Sequence, residues 1–271
     1  MRKKLLFFAI IGIAAIGAVF FNRGTIRTFW FAWNQPTLPP SVLFASTPAG
    51  QEVSPETEKK VEVQDSEVVS LVPEKLKESE KPATAINLAV PFTSQAPYGN
   101  WDAVHEEACE EASLLMVDAF FDGRSLAPDT VEAELQELVA WQKNRFGYFE
   151  STTAEETALV MREYYGYRKV EVSYDITLED IRRVVAFGLP VVVPLYGVGL
   201  NPNYTGNGPN YHMLVVRGFT ADGKIITNDP GTRLGQGYVY DPQKFYNAIH
   251  DWNGGDVING KKAMIVAYPN Q

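Results

Sequence analysis

The chain has one cysteine, three histidines and fewer basic than acidic residues, and each shortage excludes a class of protein. A lone Cys109 forms no internal disulfide, which rules out the small stapled scaffolds of secreted mini-proteins. With only His105, His212 and His250 beside it, no Cys/His set has zinc-ligand spacing, so neither a metal nor an organic cofactor is expected. Against 33 Asp and Glu, 24 Lys and Arg leave a net charge of -9. That sign is wrong for a surface that must displace counterions from phosphates, so no nucleic-acid partner is expected. Internal repeats and glycine-rich phosphate loops are missing as well. What is there is 271 residues at 45% hydrophobic content, enough to bury a sizeable core and to exclude wholesale disorder.

One long apolar run does occur, Leu5 to Phe21, 17 residues preceded by Arg2, Lys3 and Lys4 and followed by Asn22 and Arg23. At about 1.5 Å per residue it just crosses a hydrocarbon core. A cleaved signal peptide usually has a shorter apolar region ending in small residues. This one ends in Val19-Phe20-Phe21, so the expectation is an uncleaved signal anchor, residues 1–45 with the juxtamembrane segment. The rings of Phe29, Trp30, Phe31 and Trp33 suit a headgroup region, and the N-terminal excess of basic groups puts the start of the chain in the cytoplasm. The rest then lies outside a single-pass cell-membrane anchor. Residues 46–85 shift to Glu, Lys, Pro, Ser and Val with no sustained period, the composition of a disordered linker. As a flexible coil, about 40 residues span on the order of 35 Å, enough to hold a domain off a bilayer. Residues 86–271 carry 14 Lys and Arg against 24 Asp and Glu, a net -10 that gives no reason to lie on anionic lipid.

Within 86–271 helices come first. Ala112, Leu115, Met116, Ala119 and Phe120 recur at helical spacing from a start at or just before Cys109, with Gly123 as C-cap. A second helix carries Val131, Leu135, Leu138, Val139 and Gln142. A third opens on the capping box Thr153/Glu156, and a fourth covers Leu178 to Phe187. After Gly188 the pattern turns to β-branched runs at Pro190–Tyr196, Met213–Phe219, Lys224–Asn228, Tyr238–Tyr240 and Lys262–Tyr268. Helices followed by strands imply an α+β fold with segregated layers.

A cysteine in the first turn of a helix suits thiol chemistry, because free N–H groups and the helix dipole stabilise a thiolate. Such a nucleophile needs a base. His212 stands where a loop rich in Gly, Asn and Pro meets a strand, and Asp229 ends the return strand, where a carboxylate can orient an imidazole. Gln95 offers an amide donor for an oxyanion. A two-residue turn at Asp222-Gly223 would set His212 opposite Arg233 and leave it about 13 Å along the strands from Asp229. Bringing the two together therefore calls for an offset loop or bulge around Thr220 to Gly223. Asn228 is the rival third residue, since neighbouring strand positions face opposite sides.

Four stretches in this order, Val90-Pro91-Phe92-Thr93-Ser94-Gln95, Ala108-Cys109-Glu110-Glu111-Ala112-Ser113, Tyr211-His212-Met213-Leu214-Val215-Val216-Arg217-Gly218-Phe219 and Asn228-Asp229-Pro230-Gly231, resemble the peptidase C39-like domain of the papain-like cysteine peptidases. The resemblance covers about Leu88 to Tyr268. It implies a papain-like fold, with a helical half bearing the cysteine against an antiparallel sheet. By it, Cys109 is the nucleophile, His212 the general base and acid, Asp229 the orienting residue and Gln95 the oxyanion donor. The substrate it implies is a peptide or protein. The chain departs from the family's common Cys-Gly by placing Glu110 after the cysteine, among Glu106, Glu107 and Glu111. Carboxylates facing a thiol raise its pKa. Gln95 also lies further ahead of the cysteine than is familiar, so the segment containing Trp101 must fold back. A membrane-tethered cysteine peptidase is the reading. A papain-like module that binds peptide or cell wall without cutting, and an amidase or endopeptidase of peptidoglycan stems, are the alternatives.

Overall fold

The helix at the cysteine is the centre of the fold. In the computed structural model, which describes residues 35–44 and 85–270, helix α1 spans Cys109–Asp122 and is buried from Cys109 to Phe120. A helix enclosed on every side belongs in a core rather than on a surface. Leu114, Leu115 and Met116 are fully enclosed, and burial of each such side chain contributes about 1.5–3 kcal/mol. Gly123 ends α1 at φ 66°, where glycine carries no Cβ penalty, and its N–H returns to the carbonyls of Ala119 and Phe120.

Around α1 lie α2 (Pro128–Phe146) and α3 (Ala154–Glu163), the latter opened by the expected Thr153/Glu156 capping box. The sheet comprises β1 (Ile86–Asn87), β2 (Lys169–Tyr174), β3 (Val191–Leu195), β4 (His212–Phe219), β5 (Ile225–Asn228), β6 (Gln236–Tyr240) and β7 (Ala263–Tyr268). Helix α4 (Leu178–Ala186) separates β2 from β3, and α5 (Pro242–Ala248) separates β6 from β7. The order is β2-β7-β3-β4-β5-β6, with β1 on β4, and every ladder is antiparallel. The result is mixed helix and antiparallel sheet, with α1 packed on the fully buried β4.

The β4–β5 connection is irregular, as the site requires. Thr220 N–H reaches the Lys224 carbonyl at 3.0 Å around a three-residue loop, Ala221–Gly223, in which Gly223 has φ 84°. A second offset sits between Val216 and Gly218, after which Val215 pairs with Asn228. Each irregularity slides Asp229 one position toward His212 relative to an ideal two-residue turn.

The domain opens earlier than residue 86. Val42 forms a parallel bridge with Leu88, its N–H donating to the Asn87 carbonyl and its carbonyl accepting from Ala89 N–H, both at 2.7 Å. Asn87 Nδ2 donates to the Pro39 carbonyl, and Phe44 packs edge-on against Phe120 and Phe121. The compact unit accordingly begins at Leu38. A single bridge flanked by a composition shift carries no periodicity, which is why the sequence does not disclose it. The apolar run Leu5 to Phe21 and most of the 46–85 segment lie outside the described residues. Among the described residues no helix is long and apolar enough to cross a membrane.

Candidate active site

Three segments are sewn together around the end of β4. Buried Arg217 donates through Nε to Asn87 Oδ1 and through Nη1 to the Val90 carbonyl and Asn228 Oδ1. Asn228 Nδ2 donates to the carbonyls of Val90 and Pro91 at 3.0 Å each, so this side chain is spent on holding the 90–91 segment. It faces away from the imidazole. From there the Gln95 N–H reaches the Pro230 carbonyl at 3.0 Å, and Ser94 Oγ reaches the same oxygen.

Asp229 emerges on the other face, one position beyond the last paired residue of β5. His212 Nε2 meets Asp229 Oδ1 at 2.8 Å, and both side chains are buried. Gly231 N–H donates to the same oxygen, while Oδ2 accepts from Tyr240 Oη at 2.6 Å and from Tyr204 Oη and Asn201 Nδ2 at 2.9 Å. Burial works to raise this carboxyl, but the His212 charge and the hydrogen bonds from His212, Tyr240 and Asn201 hold it below the ordinary carboxylate value. Burial beside Asp229 pushes both tyrosines well above the usual phenol value, so they stay donors. The Tyr204 ring stands edge-on to the imidazole with centroids 5.3 Å apart. Gly231 completes the clamp, since a Cβ there would lie 2.9 Å from His212 Cε1.

With Nε2 on Asp229, the imidazole has Nδ1 left for a second partner, and among the described residues no hydrogen bond takes it. The backbone of Met213, the residue next to His212, acts on Cys109 and favours its thiolate. The thiol itself donates to Glu110 Oε2 at 2.9 Å. Burial pushes this thiol well above its ordinary value, and the charge and hydrogen bond of Glu110 push the same way against the Met213 amide. Glu110 is also buried, with Oε1 accepting from Thr152 N–H at 3.1 Å. Burial raises its carboxyl to about 7, although the bonds from Cys109 and Thr152 favour the charged form. Glu111 lies deeper still, bonded by Gln142 Nε2, with Oε2 buried and without a partner. Burial and then Glu110 push its carboxyl well above the usual range.

The segment containing Trp101 folds back and brings Gln95 to the turn before α1. Its Nε2 donates to the His105 carbonyl at 2.8 Å and the Glu106 carbonyl at 3.0 Å, and Oε1 is buried without a partner. Both amide protons thus hold the turn that leads into α1. His105, four residues before the cysteine, is fixed elsewhere, with Nδ1 on Asp102 Oδ1 at 2.8 Å and Nε2 on Glu132 Oε2 at 2.9 Å. His250 caps a turn through the Gly260 carbonyl. Among the described residues no group of three or more His, Cys, Asp and Glu could hold a metal.

Sequence spacing foresaw the pairing of His212 with Asp229. It missed Asn201, Tyr240 and Thr152, and gave Tyr204 no role, because each comes from a different element with no fixed spacing to the rest. Glu110 was legible only as one of a run of glutamates.

The Peptidase_C39 like family model matches residues 87–254. A C39-like peptidase from Bacillus anthracis is similar in structure at 16% identity and TM-score 0.43, over 68% of this chain and 96% of that one. A mutant fragment of Prevotella intermedia prointerpain A is similar at 13% identity and TM-score 0.37, over 53% of this chain and 43% of that one. The active wild-type interpain A cysteine protease of the same organism gives 14% identity and TM-score 0.33, over 51% of this chain and 55% of that one. No curated protein matches the chain.

Proposed function

The chain belongs to the Peptidase_C39 like family, and from that premise we propose that it is a cysteine peptidase working through Cys109, His212 and Asp229. The observation that carries the reading is the buried His212 Nε2 to Asp229 Oδ1 contact of 2.8 Å, on the strand whose next residue, Met213, acts through its backbone on the Cys109 thiol. Held by Nε2, the imidazole offers Nδ1 to the thiol. In this scheme Cys109 Sγ attacks a peptide carbonyl carbon as its proton passes to His212 Nδ1. His212 then returns the proton to the leaving amine as the C–N bond breaks, leaving a thioester. A water gives its proton to His212 as its oxygen attacks the thioester carbon, the C–S bond breaks to release the acid, and the sulfur takes the proton back from His212, with Asp229 stabilising the transient imidazolium throughout. The Cys109 N–H at the start of α1 serves the oxyanion. Gln95 can join it only by letting go of the His105 and Glu106 carbonyls.

The N-terminal apolar run supports a further part of the proposal, a single-pass membrane protein whose peptidase domain works outside the cytoplasm on peptides, proteins or peptidoglycan stems. A second reading has its own observation. The thiol rests on Glu110 with its pKa pushed up, the state expected of a papain-like module that binds peptide or cell wall without cutting it. Turnover of casein or of peptidoglycan fragments by the full chain, set beside Cys109→Ala, separates the two. Cysteine-dependent cleavage supports the peptidase. Binding of the same probes by both proteins, with no cleavage by either, moves the assignment to the module.

A further inference from the structure

Among the described residues, Glu110 is the side chain that the Cys109 thiol hydrogen-bonds, and its surroundings fix what that contact does. Cys109 and Glu110 are both buried, Sγ and Oε2 are 2.9 Å apart, and Thr152 N–H pins the other carboxylate oxygen from the loop ahead of α3. Among the described residues no cation pairs with the carboxylate. The groups that face it are Glu107 from the turn before α1, Glu111 from α1, the Tyr211 phenol at the head of β4 and the thiol itself. Glu150 acts on both Glu107 and Glu111, and the Tyr211 hydroxyl is bonded to the Thr152 carbonyl and Asp251. All are acidic or neutral. His212, the base of the proposed reaction, is turned to Asp229 by its other nitrogen.

Resting on the peptidase reading for its catalytic meaning, we propose that Glu110 is the proton gate of Cys109. As a carboxylate it accepts the thiol proton's hydrogen bond and repels a thiolate, and so holds the sulfur as S–H. As a carboxylic acid it donates its own O–H to the sulfur and lets S⁻ form beside His212. Its buried carboxyl titrates at about 7, so the gate stands half open near neutrality. Within the resting pair the one shared proton passes between Sγ and Oε2, and the proton given up on reaching that state goes to solvent. No other reactant is needed.

The shape of a pH profile tests this without a substrate. A lone thiol reacts tenfold faster per pH unit until its own pKa is reached. Where thiol and carboxyl share one proton, the reactive tautomer stops gaining population once that shared state dominates, and the profile levels off. Iodoacetamide labelling of the full chain, read by mass at its single cysteine, is expected to rise toward pH 7 and then flatten for at least a unit. Glu110→Gln keeps size and access but cannot ionise. It is expected to lose the plateau and to label about tenfold faster or more at pH 8. An unbroken tenfold rise per unit through pH 7 to 8 in the wild type overturns the gate, a test that stands even if the variant does not fold. Equal rates in the two folded proteins, zero included, overturn it as well. Peptide turnover is scored apart: a plateau that Glu110→Gln removes supports the gate whether or not peptides are cut, and cleavage without the plateau refutes the gate alone.

Discussion

His212 and Asp229 meet at 2.8 Å although they are not partners in the β4–β5 ladder, which ends at Val215 opposite Asn228. The contact is diagonal. It is made by a chain that leaves the ladder, turns through Pro230-Gly231 and is tied back by the Asp229 N–H on the Gly235 carbonyl. Four donors besides the imidazole converge on the same carboxylate, so the pair is part of a built site and not an isolated ion pair.

Asp229→Asn is expected to lower kcat/KM by about 10²-fold or more, because an amide puts a donor where the imidazole and two phenols need acceptors. The folded-state carboxyl is held below its ordinary value, so its contribution to stability is present above the unfolded pKa of about 3.9 and lost as pH falls through the folded one. Urea unfolding at pH 7 and at pH 3 checks this. The gap between wild type and variant should be wide at the first and narrow at the second.

Gly231→Ala should hurt catalysis more than folding. Its backbone is not left-handed, yet a Cβ would lie 2.9 Å from both His212 Cε1 and Tyr204 Cε1. The imidazole must shift by a few tenths of an ångström, and about tenfold or more in kcat should go with it. Thermal unfolding beside steady-state kinetics is the measurement. A large fall in Tm with unchanged kcat would contradict the clamp.

The buried His105 imidazole sits between Asp102 and Glu132. Burial opposes its charge, but the two carboxylates prevail and its pKa is raised. Its stabilising effect is therefore fully present below the unfolded value of about 6.5 and fades as pH rises through the folded value. His105→Gln should destabilise most at pH 6 and least at pH 9, read as the difference in urea midpoints. A gap that widens with pH would reverse the assignment.

Gln95→Ala removes two donors from the turn before α1, a loss of about 1–2 kcal/mol. Stability and turnover should fall together, because the nucleophile's helix loses its entry. A drop in kcat with Tm untouched would show instead that the amide leaves those carbonyls to serve the oxyanion.

Much of this site was written locally, and the rest was not. Cys109 at a helix start, His212 at a strand head and Asp229 before Pro230 each follow from patterns within a few residues. The offset between β4 and β5 followed from the geometry that any His212–Asp229 contact demands. Alternation alone could not choose between Asn228 and Asp229, since the answer depends on Arg217 and the 90–91 carbonyls claiming Asn228 from across the sheet. The strand Lys169–Tyr174 escaped notice because it is an edge, and its Val170-Glu171-Val172 looks like Val61-Glu62-Val63 of the acidic segment. Tyr204, Asn201 and Tyr240 converge on Asp229 only after the loop ahead of β4 and the strand β6 are in place.

The bridge between Val42 and Leu88 has a geometrical consequence. Val42 and Leu88, far apart in sequence, are held at a strand spacing of about 5 Å. The segment 38–44 is therefore held by the body of the domain itself, so deleting it would take a strand neighbour from Leu88 and Ala89 and uncover the rings of Phe120 and Phe121.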